Sequence, residues 1–306
     1  MEIIVLGAGA IGSLYGAKLA DKHDVTLIGR PAHVAAINAS GLHIAGIETA
    51  VVAVRAVTAI DKISPETLVL LTTKLPDSAT ALAAIQPFVR DDTTILCLQN
   101  GLGTEEIARR ALGKRGVILR GITQVGAIFA GPGMIQFMAR GYTLIERHPR
   151  SESIAAALTA AGLDCRISDD IEKDVWHKLV INCVVNPITA IMGCEVSGIA
   201  NPGLDPLSQL VIDECLAVGQ ARGHSFEMDF LSEIREFFRP SHNIASMLQD
   251  LRRARRTEID YMNAAVAAAG REHGIPCPVN SALAGIIKAM EARSLFPEKM
   301  FEAQPG

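Results

Sequence analysis

The stretch "EIIVLGAGAIGSLYGAKLA", residues 2 to 20, decides the fold of the first half of the chain. Its "IIVL" run is continuously apolar, as in a strand buried on both faces of a sheet, and the following "SLYGAKLA" predicts a helix. Between them, Gly7, Gly9 and Gly12 form a G-x-G-x-x-G pattern. In that pattern the first glycine permits a tight turn, the second lets a ligand approach the backbone, and the third lets the helix pack closely on its strand.

This glycine-rich turn predicts a binding site for the diphosphate of a dinucleotide cofactor. The free N–H groups and the dipole of the helix that starts there favour negative charge. A glycine pattern alone is weak support, and an ordinary turn is the alternative, but the position between a strand and a helix favours the cofactor. The predicted cofactor-binding residues of the turn are Gly7, Ala8, Gly9, Ala10, Ile11 and Gly12.

The second strand indicates which dinucleotide binds. Folds that bind NAD usually place an acidic residue at the end of this strand to accept the ribose hydroxyls. Here the strand ends in "LIGRPAH", with Arg30 and no acid. Since a guanidinium can pair with a 2′-phosphate, we expect NADPH/NADP rather than NAD. The alternative is that Arg30 is an ordinary surface arginine.

The pattern along the chain predicts two domains. Up to about residue 165, strands such as "DVTLIG", "TLVLLTTK" and "TTILCLQNG" alternate with helical segments, and the segment from 131 to 146 is expected to form a hairpin. After about residue 168 only helical patterns remain. The predicted fold is α/β, with a Rossmann-like, doubly wound, mostly parallel sheet over residues 1–167 and an all-α domain over residues 168–306.

Two further residues follow strands of the predicted sheet. Lys74 ends the "LLTTK" strand and Asn100 ends "LCLQNG". Open α/β sheets bind ligands at the carboxyl ends of their strands, so both are candidate site residues. The alternatives are a solvated lysine and a turn asparagine.

A helical stretch in the second half, "DVWHKLVINCVVNPITAI", residues 174 to 191, carries three polar residues at a spacing of four. Lys178, Asn182 and Asn186 share one face, because positions i, i+4 and i+8 drift by only about 40° per step. Such groups need partners in an apolar helix, either a ligand or a neighbouring helix. Pro187 is expected to kink or interrupt the helix and expose backbone carbonyls. His177 points elsewhere and is interpreted as structural.

Later in the chain, "NIASMLQDLRRARRTEIDYMNAA", residues 243 to 265, offers Ser246 and Glu258 as polar groups for the same site. Its four arginines are interpreted as a solvated helix face rather than as nucleic-acid contacts.

Composition limits the class of protein. The chain has 306 residues, 49% of them hydrophobic and 20% charged, and a formal net charge of −4. This balance gives no general attraction to nucleic acid or to anionic membranes. The six cysteines form no C-x-x-C pair and suggest neither a metal site nor a disulfide framework, as expected of a cytoplasmic protein. The N-terminus lacks a basic leader, and no run of about 20 uncharged apolar residues predicts a membrane span.

Together, "GAGAIG", "QNG", "VWHKLVINCVVNPITAI", "NIASMLQD" and "RTEIDYMN" resemble the ketopantoate reductase (2-dehydropantoate 2-reductase) family over the whole chain and in the same order. The resemblance implies a Rossmann domain, a helical domain, and NADPH-dependent reduction of ketopantoate to pantoate for coenzyme A synthesis. Four places differ from the family pattern: Ser197 before Gly198, Asn263-Ala264, "MARGY" and Cys277. They leave open which 2-oxo acid is reduced.

The resemblance also implies roles for individual residues. Lys178 would be the proton donor, Glu258 would lie near both cofactor and substrate, and Asn100 would bridge the two. The substrate would be held by Asn182, Asn186 and Ser246. The cofactor would meet the backbone of Ala127, and its 2′-phosphate region would meet Arg30 and Lys74.

Two other functions remain as hypotheses. One is an NADPH-dependent reductase of another short branched 2-oxo acid, and the other is a non-catalytic NADPH-binding regulator. A homodimer is possible, and no nucleic-acid, membrane or metal partner is expected.

Overall fold

A computed structural model describes residues 1–295 of the chain. These residues form two compact units. The first comprises Met1–Gln99 and Gly103–Ile171, and the second comprises Asn100–Leu102 together with the residues from Glu172 onward. The sequence pattern predicts a division after residue 167, whereas the contacts divide the chain after Ile171 and also assign the three-residue loop 100–102 to the second unit.

The first unit contains every strand within residues 1–295. Its helices are α1 (Ala10–Leu19), α2 (Pro31–Ser40), α3 (Leu75–Ile85), α4 (Thr104–Leu112) and α5 (Ser151–Ala160). Its strands are β1 (Glu2–Leu6), β2 (Asp24–Ile28), β3 (Leu42–Gly46), β4 (Ala50–Val52), β5 (Arg55–Val57), β6 (Leu68–Leu71), β7 (Thr94–Cys97), β8 (Val117–Thr123), β9 (Gly126–Gly131), β10 (Met134–Ala139), β11 (Thr143–Ile145) and β12 (Cys165–Ile167).

Eight strands form the main sheet, in the order β12-β11-β8-β7-β6-β1-β2-β5. All neighbours in this sheet are parallel except β8 and β11. The four strands that the sequence predicts are β1, β2, β6 and β7, so the prediction of a Rossmann-like, mostly parallel sheet is confirmed.

Side chains along the central strands alternate between two hydrophobic cores. In β1, Ile3 and Val5 belong to one core, while Ile4 and Leu6 belong to the other. Helices α1 and α5 contribute to the first core, and α3 and α4 contribute to the second. Because both faces of the sheet are covered, the runs of residues 3–6 and Leu68–Leu71 are apolar at every position, which explains the continuous apolar runs in the sequence.

The hairpin predicted over residues 131–146 is wrong in its pairing. Strand β10 pairs antiparallel with the preceding strand β9, whereas β11 pairs with β8. The connection from β9 to β10 contains Pro132 and Gly133, and Gly133 has φ +74°. Proline followed by a glycine of positive φ is typical of a type II turn, which places the hairpin one strand earlier. Strand β10 also pairs with β3, giving a second, four-stranded sheet.

No strand follows Ile167 within the described residues, as the sequence predicts. The remaining helices are α6 (Ile171–Met192), α7 (Asp205–Ala221), α8 (Phe230–Phe238), α9 (Ser246–Arg252), α10 (Asn263–Glu272) and α11 (Pro278–Leu295). Short 3₁₀ turns cover Val196–Ala200, Pro202–Leu204 and Ile259–Tyr261.

Of the kink or interruption expected at Pro187, the interruption does not occur, since α6 runs from Ile171 to Met192 with Pro187 inside it. Pro187 has no N–H, so the carbonyl of Cys183, four residues earlier, loses its helical donor. Asn263 Nδ2 donates to that carbonyl at 2.9 Å. The buried amide therefore replaces the bond that proline removes.

The Asn263 amide is part of a longer buried network. Its Nδ2 also donates to Asn280 Oδ1 at 2.9 Å, and Asn280 Nδ2 donates to Glu214 Oε2 at 2.7 Å. The Glu214 carboxylate also accepts the backbone N–H groups of Val279 and Asn280 at 2.8 and 2.9 Å. A carboxylate at a helix N-terminus is stabilising, so Glu214 connects α7 to the first turn of α11.

Among the helices of residues 1–295, α6 alone is long and apolar enough to cross a membrane by length and composition. In its most apolar 18-residue stretch, 67% of the helix is buried, as in the core helix of a globular protein. Its buried side includes Trp176, Val180 and Val184, which belong to the core of the second unit.

We predict that Asn263→Ala lowers the free energy of unfolding by about 2 kcal/mol or more, because it leaves the buried Cys183 carbonyl without a donor. In a Pro187→Ala background the same substitution should cost about 1 kcal/mol less, since an alanine N–H at 187 can donate to that carbonyl. Urea unfolding followed by the fluorescence of Trp176, the single tryptophan, measures all four free energies. Strictly additive effects would contradict this account.

Candidate active site

The glycine-rich turn leaves no room for side chains at two of its three glycines. Gly7 has φ +110°, and a Cβ there would lie 2.5 Å from the backbone nitrogen of Thr73. At Gly12 a Cβ would lie 2.4 Å from the Gly7 carbonyl oxygen. The turn is held in place by Thr72 Oγ1, which donates to the Gly7 carbonyl at 2.9 Å. Both glycines are therefore required by the fold itself.

Gly9 is different, because its surroundings are open. Its φ of −87° suits any residue, and the nearest atom to a Cβ there would be the Gly7 carbonyl oxygen, 3.9 Å away. Gly9 is also the N-cap of α1, and no side chain within residues 1–295 caps this helix. Open space beside the uncapped N-terminus of a helix fits the diphosphate of a dinucleotide.

Arg30 lies directly after β2 and Gly29, at the N-cap of α2. Its side chain is exposed and forms no hydrogen bond or ion pair with any of residues 1–295. Gly29 brings this strand end to the glycine-rich turn, since a Cβ on Gly29 would lie 3.0 Å from Ala8 Cβ. The Arg30 guanidinium is therefore available to an anionic ligand at the edge of the sheet where the glycine-rich turn lies.

His33 fixes the start of α2, a role that its sequence context does not signal. The Gly133 N–H donates to Nδ1 at 2.9 Å, so Nδ1 is unprotonated and Nε2 donates to Ser13 Oγ at 3.0 Å. Burial lowers the pKa of His33, which favours this neutral form. The ring thus ties α2, which begins after Arg30, to α1.

The other two cofactor candidates of the first unit also lie near the glycine-rich turn. Lys74 is half-buried at the N-cap of α3 and follows Thr73, the residue against which Gly7 packs. Ala127 is half-buried in β9, a strand that packs against α1. The first unit therefore brings Arg30, Lys74 and Ala127 to the elements around one turn.

In the second unit, α6 carries Lys178, Asn182 and Asn186 on one face, as the spacing predicts. Lys178 and Asn182 are half-buried, and Asn186 is buried. Asn186 Nδ2 donates to Met262 Sδ at 3.5 Å, and a thioether is a weak acceptor. Within residues 1–295 the Asn182 amide has no hydrogen-bond partner. Neighbouring protein groups therefore satisfy this polar face only in part.

His177 lies off that face, in accordance with its structural interpretation. Its Nε2 lies 3.1 Å from Glu233 Oε2, and its ring packs 5.2 Å from that of Phe230. Both partners belong to α8, so His177 connects α6 to α8.

Glu258 is buried and directly precedes the 3₁₀ turn Ile259–Tyr261. The loop 100–102 docks on this turn, because the Leu102 N–H donates to the Tyr261 carbonyl at 2.9 Å. Ser246 begins α9 and is half-buried. Of the four arginines of this region, Arg252 ends α9 and the others follow in an exposed turn, so they do not form the predicted helix face.

The second unit therefore gathers most of the predicted substrate and catalytic residues. The hydrogen bond from Asn186 to Met262 joins α6 to the segment that carries Glu258. The contact of Leu102 with Tyr261 brings Asn100 to the same segment. Within residues 1–295, no side-chain hydrogen bond joins Ser246 to this group, although Met247 and Leu248 of α9 share a hydrophobic core with Ile259 and Met262.

Two of the cysteines, Cys97 and Cys277, are not suited to nucleophilic chemistry. All six are free, and five of them are buried. Burial raises the pKa of Cys97 to about 12 and that of Cys277 to about 11. Since the thiolate is the reactive form, these thiols are inert near neutral pH. Within residues 1–295 there is also no group of three or more His, Cys, Asp or Glu side chains that could hold a metal ion.

Comparison with known families matches both halves of the chain. The family described as "Ketopantoate reductase PanE/ApbA" matches residues 3–150, and its C-terminal counterpart matches residues 170–291. The chain belongs to the ketopantoate reductase family. This assignment confirms the resemblance seen in the sequence motifs, and it makes the chain a member of an oxidoreductase family.

Individual relatives match the ketopantoate reductase assignment over nearly the whole chain. The 2-dehydropantoate 2-reductase of Pyrococcus horikoshii is 36% identical over 302 residues, covering 95% of this chain and 98% of that protein. The Vibrio cholerae enzyme of the same name is 31% identical, with 95% and 98% covered.

Solved structures show the same fold. The PanE/ApbA family ketopantoate reductase from Ralstonia eutropha has a TM-score of 0.88 and 31% identity, covering 96% of this chain and 99% of its own. D-mandelate dehydrogenase in complex with NADH and anilino(oxo)acetate has a TM-score of 0.87 and 25% identity, with 96% and 99% covered. Structural relatives of this family thus include a protein that binds a nicotinamide dinucleotide.

We predict that Gly9→Ala weakens dinucleotide binding by about tenfold or more, because the methyl group would fill the open space beside the helix N-terminus. Its melting temperature should stay within a few degrees of the parent value, since the backbone at Gly9 is unstrained. Gly12→Ala is the control and should mainly lower the melting temperature. Fluorescence titration with NADPH and thermal unfolding measure the two effects. Unchanged affinity in Gly9→Ala would refute the diphosphate assignment.

Proposed function

We propose that this protein reduces 2-dehydropantoate to pantoate with NADPH, and that Lys178 is the proton donor. The observation that carries the proposal is the face of α6 on which Lys178, Asn182 and Asn186 follow one another, with the Asn182 amide unsatisfied by any of residues 1–295. An ammonium group and an amide presented together suit the oxygens of a small 2-oxo acid. Membership in the ketopantoate reductase family supports the same reaction.

In this proposal, residues 1–167 bind NADPH. The glycine-rich turn from Gly7 to Gly12 holds the diphosphate, Arg30 and Lys74 hold the 2′-phosphate region, and the backbone of Ala127 meets the cofactor. When bound, NADPH supplies the hydride that reduces the keto carbon. The exposed guanidinium of Arg30 at the end of β2, where NAD-binding folds carry an acid, supports NADPH over NADH.

Residues 168–306 supply the acid and most of the substrate contacts. The Lys178 ammonium stabilises the negative charge that develops on the carbonyl oxygen and then donates a proton to it. Asn182, Asn186 and Ser246 hold the substrate through their polar side chains. Glu258 is assigned as the second catalytic residue, and both Glu258 and Asn100 are assigned to cofactor and substrate. The reaction belongs to coenzyme A synthesis in the cytoplasm.

A second candidate is the reduction of another 2-oxo acid by the same residues. The likeness to D-mandelate dehydrogenase favours this candidate, because that protein is nearly as similar in fold as the ketopantoate reductase from Ralstonia eutropha. Both candidate reactions use the same fold and Lys178. Their substrates differ only in the group attached to the 2-oxo acid.

An assay of NADPH oxidation with a panel of 2-oxo acids separates the candidates. Under the first proposal, kcat/KM is highest with 2-dehydropantoate, and it exceeds the values for 2-oxoisovalerate and for phenylglyoxylate, the oxidation product of mandelate. A higher value for either competitor would favour the second candidate. Binding of NADPH without turnover of any 2-oxo acid would instead indicate the non-catalytic regulator.

We predict that Lys178→Ala lowers kcat by about a hundredfold to ten-thousandfold, the range typical of a lost general acid. The dissociation constant for NADPH should change little, because Lys178 is assigned to the substrate. Lys178→Arg keeps the positive charge but is a poor acid, so its kcat should also stay low. Stopped-flow reduction and fluorescence titration measure the two quantities. Wild-type turnover in Lys178→Ala would disprove the acid assignment.

We predict that Arg30→Ala raises the dissociation constant for NADPH by about tenfold or more and leaves that for NADH almost unchanged, because one charge-assisted hydrogen bond to phosphate is lost. Arg55→Ala is the matched control, since Arg55 is another exposed arginine of the first unit outside the proposed site. Equal losses for both cofactors, or equal effects of the two substitutions, would contradict the 2′-phosphate assignment.

A further inference from the structure

The backbone of Tyr261 holds the loop 100–102 in a way that only glycine at position 101 permits. Gly101 has φ +87°, and a Cβ there would lie 2.5 Å from the Tyr261 carbonyl oxygen and 2.9 Å from Tyr261 Cβ. The same carbonyl accepts the Leu102 N–H at 2.9 Å. A side chain at position 101 would therefore force apart two backbone segments joined by a hydrogen bond.

Asn100, the residue before Gly101, lies between two residues that are each held by contacts inside their own unit. On one side, Gln99 is only 5% exposed, and its Nε2 donates to Ser78 Oγ at 3.0 Å. On the other side, Leu102 packs against the hydrophobic core of the second unit in addition to bonding Tyr261. Leu102 therefore holds the loop that carries Asn100 on the second unit.

The Tyr261 anchor belongs to the same turn as Glu258. The Tyr261 N–H donates to the Glu258 carbonyl at 3.0 Å, and the 3₁₀ turn Ile259–Tyr261 starts directly after Glu258. The contact between Gly101 and Tyr261 therefore fixes the loop that carries Asn100 against the turn that follows Glu258.

We infer that Gly101 is a positioning residue of the reduction: its contact with Tyr261 holds Asn100 beside the turn that follows Glu258, and so positions the amide that the proposed function assigns to both ligands. The inference rests on the proposed function, which assigns Asn100 to both ligands. Gly101 itself touches neither ligand and acts only through Asn100.

A double-mutant cycle on Asn100→Ala and Gly101→Ala tests this inference. Each single substitution should lower kcat/KM for 2-dehydropantoate by about tenfold, the effect of losing one hydrogen bond. The kcat/KM of the double variant should lie within about threefold of that of the less active single variant. The reason is that the position of the amide no longer matters once the amide has been removed. Multiplicative losses, about a hundredfold in total, would overturn the inference and reduce Gly101 to a purely structural role.

Gly103→Ala is the matched control for backbone strain. Gly103 is in the same connection and has φ +84°, but a Cβ there would meet no atom within 4 Å. Both alanine variants carry the penalty of a left-handed backbone, whereas only Gly101→Ala meets Tyr261. We expect kcat/KM to fall in Gly101→Ala and to stay within about twofold of the parent value in Gly103→Ala, since a substitution remote from the ligands has little effect on them.

The same cycle on the dissociation constant for NADPH separates failure of the inference from failure of the proposed function. If the parent protein reduces no 2-oxo acid, the proposed function fails, and coupling between the two substitutions in NADPH binding still decides the role of Gly101. If Asn100→Ala changes neither kcat/KM nor NADPH affinity, the inference is overturned, because Gly101 then has nothing to position.

Discussion

The hydrogen bond from Asn263 to the Cys183 carbonyl is the contact on which the helical unit depends. Cys183 lies five residues after Lys178 on α6, and Pro187 removes the helical donor of its carbonyl. A buried carbonyl without a partner is costly, so α6 could not stay continuous through its proline without a substitute donor. Asn263 also donates to Asn280 in the first turn of α11, and Asn280 donates to Glu214 of α7. The helix that presents Lys178 is thus held by a polar network inside an apolar core.

The first unit depends on a different constraint, which is the absence of side chains in the glycine-rich turn. Gly7 and Gly12 are needed because backbone atoms lie within 2.5 Å of where their Cβ atoms would be. Gly9 has open space instead, so two of the glycines serve the fold, and the proposed function assigns the third to ligand approach. A single sequence motif therefore combines close packing of α1 against the sheet with an accessible helix N-terminus.

The proposed site residues differ in how their positions are specified. Those on α6 follow from helical geometry alone, since a spacing of four places them on one face. Asn100 depends on tertiary contacts, because the Gly101 and Leu102 backbone rests on Tyr261, far along the chain. His33 is also placed by tertiary contacts, since its ring bonds Ser13 and the Gly133 turn. No local pattern around His33 predicts either partner.

The sequence by itself determined the parallel sheet, the helical second half, the glycine-rich turn and the shared face of Lys178, Asn182 and Asn186. These features follow from local periodicity and from backbone sterics, which act over a few residues. Only the tertiary structure decided that β10 pairs with β3, that α6 continues through Pro187, and that loop 100–102 joins the second unit. Each of these depends on a hydrogen-bond partner distant in the sequence, and such a partner leaves no periodic signal.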